Sequence, residues 1–228
     1  MLAAGAATSM AQNVYSLNVV GYANVSLTNK YNLVANQFDL DGNVTNNTVH
    51  GVFGGAGIGY TNIPTGTVIK TFDEPTQLFA QATLAANGNW LQNTSAINKA
   101  LSPGNGVFIQ LGGANGTPTP INLTLVGNVV QGSHGVTIVG PSKYGIHSIN
   151  APVVARIQTD FGFPAVQGDQ VLEFSGVSQT YNVTHTRGSS SWLGIPGEPT
   201  NAVGQAYMFK AGSTAPATRT WTQNFTVQ

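Results

Sequence analysis

The sequence contains no cysteine and very little charge. Without cysteine, the chain cannot use thiol catalysis, CxxC redox chemistry or cysteine-based zinc binding. Asp, Glu, Lys and Arg make up 7% of the 228 residues, whereas an ordinary soluble domain has about 25%. The eight basic and eight acidic residues cancel to a net charge of zero. The sequence therefore lacks the basic surface that a nucleic-acid-binding protein or a polybasic membrane patch needs.

Long apolar runs are also missing. No stretch of about 18 consecutive apolar residues occurs, so no segment is predicted to span a membrane. Amides and hydroxyls take the place of charge, with 22 Asn, 25 Thr, 14 Gln and 14 Ser along the chain. A neutral surface gives little electrostatic repulsion between copies. This composition favours a protein that assembles or lies on a cell surface.

The N-terminal segment, residues 1–11, is small, apolar and uncharged, and it ends in Ser9-Met10-Ala11 before Gln12. Small residues in this pattern are typical of a secretory cleavage site. The segment lacks a positively charged start, so the alternative is a flexible leader that is retained. We predict a signal-peptide remnant or leader over 1–11, and a secreted protein that is extracellular or bound to the cell surface.

The chain contains an internal similarity at an offset of 102 residues. Gly66–Phe72 matches Gly168–Phe174, and the same offset pairs Gln77 with Gln179, Phe79 with Tyr181, and Trp90 with Trp192. Similarity at a fixed period is the signature of a repeated structural unit. We predict two units, the first over 12–131 with an N-terminal strand arm and the second over 132–228.

Short runs of Val, Ile, Thr, Phe and Tyr alternate with Gly, Asn and Pro clusters, a pattern that predicts strands joined by turns. Helix is scarce, with candidates only at 45–53 and 152–160 and a turn near 95–100. The predicted fold is all-β, as two tandem, pseudo-repeated β-sandwich-like units with very little helix. Strands are expected at 14–28, 31–37, 66–73, 77–84, 106–111, 121–131, 136–140, 169–175, 178–186, 205–210 and 218–227.

Both ends of the chain alternate in polarity as half-buried strands do. Four segments stand out beside this alternation: 13–25, 31–37, 103–110 and 221–227. They resemble secreted, duplicated β-proteins of unassigned function predicted in Verrucomicrobia and Planctomycetes-type bacteria. The resemblance implies export and a β fold, and it implies no catalytic residue.

No catalytic, cofactor or metal motif was found, so we predict that the protein is not an enzyme and needs no cofactor or metal. The four histidines have no metal-ligand spacing. Asp39-Leu-Asp41-Gly-Asn43 is a fragment of a calcium loop without its distal glutamate, and an ordinary turn explains it better. Trp90 and Trp192 are candidate sugar-stacking rings, although their matched positions suit core anchors equally well.

Two functions follow as hypotheses. The first is a secreted structural subunit that self-assembles into a filament, sheath or surface layer, with a terminal strand completing a neighbour's sheet. The alternative is a monomeric β-sandwich module that binds a carbohydrate or another surface ligand. The simpler interpretation of the terminal strands is that they complete their own sandwich. The residues assigned to the assembly strands are Leu17, Val19, Ala23, Val25, Leu27, Trp221, Phe225 and Val227.

Overall fold

The computed structural model describes residues 19–42, 47–54, 63–91, 94–112, 119–194 and 197–227. The fold is all-β, as predicted, with 49% strand and 4% helix. The two helices are short: α1 (Val49–Gly54) and α2 (Thr94–Ile97). The strands are β1 (Val20–Leu27), β2 (Tyr31–Asn36), β3 (Val68–Asp73), β4 (Leu78–Leu84), β5 (Trp90–Leu91), β6 (Asn105–Gln110), β7 (Ile121–Asn128), β8 (Gly132–Val139), β9 (Tyr144–His147), β10 (Ala155–Arg156), β11 (Gln170–Ser175), β12 (Thr180–Arg187), β13 (Trp192–Leu193), β14 (Thr200–Asn201), β15 (Tyr207–Lys210) and β16 (Thr218–Phe225).

A ten-stranded sheet forms the centre of the molecule, in the order β13-β12-β11-β15-β9-β6-β3-β4-β5, with β2 also paired to β6. Five of its strands precede residue 132 and five follow it. The two sets join where Asn105 of β6 pairs with His147 of β9, and where Val34 of β2 bridges to Gln205. One sheet therefore passes through both predicted units, and the division into two units stays a prediction.

Three two-stranded antiparallel ribbons accompany the sheet in the described part of the chain: the short β10–β14 pair and two longer ones. β1 pairs with β7 and β8 pairs with β16, each over eight positions. The alternation predicted for the first strand is confirmed, because Ala23 and Leu27 are buried while Val20, Tyr22 and Asn24 point to solvent. A two-stranded ribbon is unstable alone in water, so each ribbon depends on the apolar side chains that it contributes to the core.

The core consists of three clusters. The first contains mainly residues that precede 130, and the second contains residues from Ile138 onward. The third combines both parts of the chain, because Phe72 and Phe108 pack with Ile146 and Met208. Phe108 of this third cluster also lines the aromatic groove described below.

Two matched turns connect the halves. Gln77 and Gln179, in the β3–β4 and β11–β12 turns, both adopt φ = 61°. The Gln77 side chain accepts a hydrogen bond from the Tyr144 amide at 2.8 Å and donates one to the Tyr144 carbonyl at 2.9 Å. The Gln179 side chain binds the Tyr31 amide and carbonyl in the same way, at 3.1 and 2.9 Å. These matched positions support a duplication.

The predicted helix over 152–160 is wrong. This segment contains β10 and a turn, in which the Asp160 carboxylate accepts a hydrogen bond from the Arg156 amide at 2.8 Å. Ala155 and Arg156 pair with β14, which lies far along the chain, so the tertiary partner overrides the local apolar run. The other predicted helix, over 45–53, overlaps α1.

Candidate functional site

The predicted N-terminal assembly strand is part of the protein's own sheet structure. Ala23 and Leu27 are buried in the first core cluster, and Val19 and Val25 are half-buried against it. All eight residues of β1 pair with β7. Leu17 lies outside the described residues. The inward side chains of this strand therefore fill the core of the same chain.

The predicted C-terminal strand is anchored more deeply. Trp221 is fully buried, and its Nε1 donates a hydrogen bond to the Phe161 carbonyl at 2.7 Å. Phe225 stacks on Phe161 with ring centroids 6.3 Å apart, and Val227 is half-buried against the first cluster. These contacts correspond to the simpler interpretation, in which the strand completes its own sandwich.

The outward face of the β1–β7 ribbon is apolar at one end. Val20 is 67% exposed, Tyr22 is 72% exposed and Val126 is 43% exposed. Tyr22 lies directly opposite Val126 in the register, so the side chains form one continuous patch. Among the described strands, β1 pairs with β7 alone, which leaves the other edge of β1 without a strand partner.

The two tryptophans named from the sequence occupy different surroundings. Trp90 is buried in the first core cluster, with 9% exposure. Trp192 is half-buried, donates its Nε1 hydrogen to Gln158 at 2.7 Å, and lines a polar cavity of about 500 Å³. Trp90 thus serves as a core anchor, while Trp192 is partly accessible.

A different set of rings forms an open groove on the central sheet. We call it the aromatic groove; it has a volume of about 360 Å³. Its rings pack at large angles, with centroids 6.0 Å apart for Phe79–Phe108, 5.1 Å for Phe108–Phe174 and 5.4 Å for Phe174–Tyr181. The residues that line it are Tyr31, Lys70, Phe79, Gln81, Phe108, Phe174, Gln179 and Tyr181.

The groove combines a rigid floor with accessible walls. Phe108 is 9% exposed, whereas Phe79 is 50% exposed and Tyr181 is 39% exposed. Burial raises the pKa of the Tyr181 phenol, with a further contribution from Tyr144, so this hydroxyl stays protonated at neutral pH. The Lys70 ammonium lies 4.7 Å from the centre of the Tyr31 ring.

Another cavity, of about 480 Å³, has Glu74 in its wall, and Glu74 in turn contacts the buried His147. Glu74 Oε1 lies 3.2 Å from Nε2 of His147, without hydrogen-bond geometry between them. Burial raises the pKa of Glu74 to about 7, and burial together with the Arg219 charge lowers the pKa of His147 to about 4. Gly145 makes room for this pair, because a Cβ there would lie 2.5 Å from His147 Nε2.

Two aspartates of the second half, Asp160 and Asp169, are held by arginine side chains. Asp160 pairs with Arg156, and Asp169 pairs with Arg219. Asp39, from the calcium-like fragment, accepts a hydrogen bond from the Asn47 amide group at 2.9 Å, as in an ordinary polar turn. Within the described ranges, no three His, Cys, Asp or Glu side chains cluster as metal ligands. The absence of enzymatic activity stays a prediction.

No protein-family model, curated protein or solved structure matches this chain. The resemblance to secreted bacterial β-proteins therefore stays a prediction. Among the described residues, neither helix has the length and apolar character needed to cross a bilayer.

Sequence reasoning missed the aromatic groove, although one signal was present. The offset of 102 residues pairs Phe79 with Tyr181, and these are the two most exposed aromatic rings that line the groove. Trp90 and Trp192 are candidates because their rings can stack on sugars, but residue type does not determine which face of a strand a residue occupies.

Proposed function

We propose that the protein is a secreted structural subunit that self-associates into an extracellular filament, sheath or surface layer. The observation that carries this proposal is the apolar patch of Val20, Tyr22 and Val126 on a ribbon whose strand β1 has no second partner among the described strands. A second copy can cover the patch and pair along the edge of β1, which gives both apolar burial and main-chain hydrogen bonds.

The lack of net charge also favours self-association. The chain has a net charge of zero, so two copies approach without long-range repulsion. Outside the patch, the outward face of the β1–β7 ribbon carries amide and hydroxyl side chains. Opposite side chains on β1 and β7 are already hydrogen-bonded to each other. Thr124 donates to Asn24 at 2.7 Å and Ser26 donates to Asn122 at 2.7 Å. The apolar patch is therefore the part of this face that gains most from being covered.

Charging the patch is expected to abolish association. In the variant with Val20→Asp and Tyr22→Asp, two exposed apolar side chains are replaced by carboxylates. An apolar side chain of this size contributes about 1.5–3 kcal/mol when it is buried, so the dissociation constant should rise by at least about 100-fold. Light scattering after size exclusion, together with negative-stain electron microscopy, measures the change.

The matched control is Asn24→Asp with Ser26→Asp, which places the same two charges on the same face of β1, outside the patch. This variant should associate like the wild type. A wild type that stays monomeric at high concentration contradicts the proposal, as does normal association of the Val20/Tyr22 variant.

Two modes of association are distinguishable. In edge addition, β1 stays on its own β7, whereas in strand exchange it pairs with the β7 of a neighbour. Asn24 and Thr124 lie directly opposite each other across the ribbon, and the chain has no other cysteine. A disulfide between Asn24→Cys and Thr124→Cys therefore reports which β7 holds β1.

We expect edge addition, because Ala23 and Leu27 are buried in the core of their own chain. The oxidised assembly should then dissociate into monomers on a non-reducing denaturing gel, each with an internal disulfide. Covalent dimers and ladders would instead establish strand exchange. The Asn24→Cys single variant controls for disulfides that form by random collision.

A further inference from the structure

The aromatic groove is open and already formed. Its volume of about 360 Å³ lies in the range of small-molecule sites. Exposing half of Phe79 and much of Tyr181 to water is unfavourable for the isolated chain, because apolar surface gains free energy when it leaves water. The edge-to-face contacts with Phe108 and Phe174 hold the two rings in place, so a ligand that covers them loses little entropy in ordering the site.

The position of Tyr31 is fixed by main-chain contacts. Gln179 binds both the amide and the carbonyl of Tyr31, and it also donates to the Gly176 carbonyl at 2.6 Å. These bonds occupy the amide of Gln179, so this side chain positions the wall of the groove. Gln81, on β4, is exposed, and its side chain makes no hydrogen bond to another described residue, which leaves its side-chain amide available to a ligand.

The charge of the groove restricts the ligand further. Lys70 is the one charged residue among those that line it, and none of the carboxylates in the described ranges lies within ion-pair distance of its ammonium. An uncharged partner that filled the groove would desolvate this ammonium without supplying a counter-charge, which costs free energy. An anionic group next to Lys70 removes that cost.

Three requirements thus coincide: an apolar ring surface for Phe79 and Tyr181, a hydrogen-bonding group for Gln81, and an anion for Lys70. A uronic acid unit has all three, because its ring carries C–H groups, hydroxyls and a carboxylate. We propose that the aromatic groove binds an acidic polysaccharide, with sugar rings against Phe79 and Tyr181 and a uronate carboxylate at Lys70. This site is separate from the β1–β7 patch, and it gives the subunit a means of holding an acidic extracellular matrix.

The experiment uses the full chain and two probes: galacturonic acid oligomers and the same oligomers after reduction of their carboxyl groups. Calorimetry is expected to detect binding of the acidic oligomer, with binding of the reduced oligomer at least about tenfold weaker. Phe79→Ala should weaken binding of the acidic oligomer at least about tenfold, the effect of losing one aromatic contact. Lys70→Gln should bring the two probes to the same affinity.

Leu78→Ala is the matched control, because Leu78 precedes Phe79 on β4, is 65% exposed and does not line the groove. This variant should bind like the wild type. Equal binding of both probes by the wild type overturns the proposal, as does the absence of binding at millimolar acidic oligomer. An equal loss in Leu78→Ala and Phe79→Ala also overturns it, since binding would then not depend on the groove. All variants can be measured with Val20→Asp and Tyr22→Asp present, so the result does not depend on self-association.

Discussion

Replacing Asp169 with threonine is expected to lower the free energy of unfolding by about 3–5 kcal/mol, the cost of breaking a buried ion pair. Asp169 is fully buried, and Arg219 holds it with two hydrogen bonds, at 2.6 and 3.0 Å. The Asp169 carboxylate also accepts hydrogen bonds from the main-chain amides of Val166 and Gly212, at 2.9 and 2.8 Å. Without it, the guanidinium stays buried with no counter-charge, and urea denaturation should measure the loss.

The control for this prediction comes from the other half of the chain. Thr67 lies at the position that the offset of 102 residues matches to Asp169. Its hydroxyl accepts a hydrogen bond from the Gly112 amide at 3.0 Å, and no cation takes part in this contact. A double variant with Asp169→Thr and Arg219→Met should therefore recover most of the lost stability, because a buried ion pair replaced by apolar groups is often neutral. If the double variant is as unstable as the single one, the ion pair is not the source of the loss.

Replacing Trp221 with alanine should cost about 3–5 kcal/mol, the usual range for losing a buried large aromatic side chain. Trp221 is fully buried, packs edge-to-face on Phe163 with centroids 5.0 Å apart, and donates to the Phe161 carbonyl. The substitution leaves both a cavity and an unpaired carbonyl. Thermal and urea unfolding of the variant measure the change.

Tyr22→Ala provides the comparison, since it removes an aromatic ring that is 72% exposed on the other ribbon. We expect its stability to stay within about 0.5 kcal/mol of the wild type, as for an ordinary surface substitution. A Trp221→Ala protein of normal stability would mean that β16 is not needed to hold the second core together, and it would make this strand a possible donor for a neighbour.

Much of the secondary structure could be predicted because it depends on local patterns. The alternation in β1 and the break between the strands predicted at 66–73 and 77–84 correspond to the structure directly. The predicted strand at 136–140 covers only the end of β8, and β9 was missed. β9 is four residues long and pairs with β15, with partners 60 to 66 residues further along the chain. Nothing in a short local window identifies such a partner.

The candidate site could not be predicted for a related reason. The aromatic groove takes its rings from β2, β4, β6, β11 and β12, so it exists only once the sheet order is known. Periodicity tells which residues share a face of one strand, but not which strands lie side by side. The burial of Trp90 and the exposure of Phe79 both depend on that order.

The glutamine turns have a consequence for how the chain folds. Gln179 binds Tyr31 across 148 positions of sequence, and Gln77 binds Tyr144 across 67. Closing loops of this length costs entropy before the contacts form, so a protein dominated by them folds slowly. The first half, once synthesised, leaves Phe72 and Phe108 without their partners Ile146 and Met208 until the second half follows, and during that interval this apolar surface can associate with other chains. Correct folding of the first half therefore depends on the rate at which the second half becomes available.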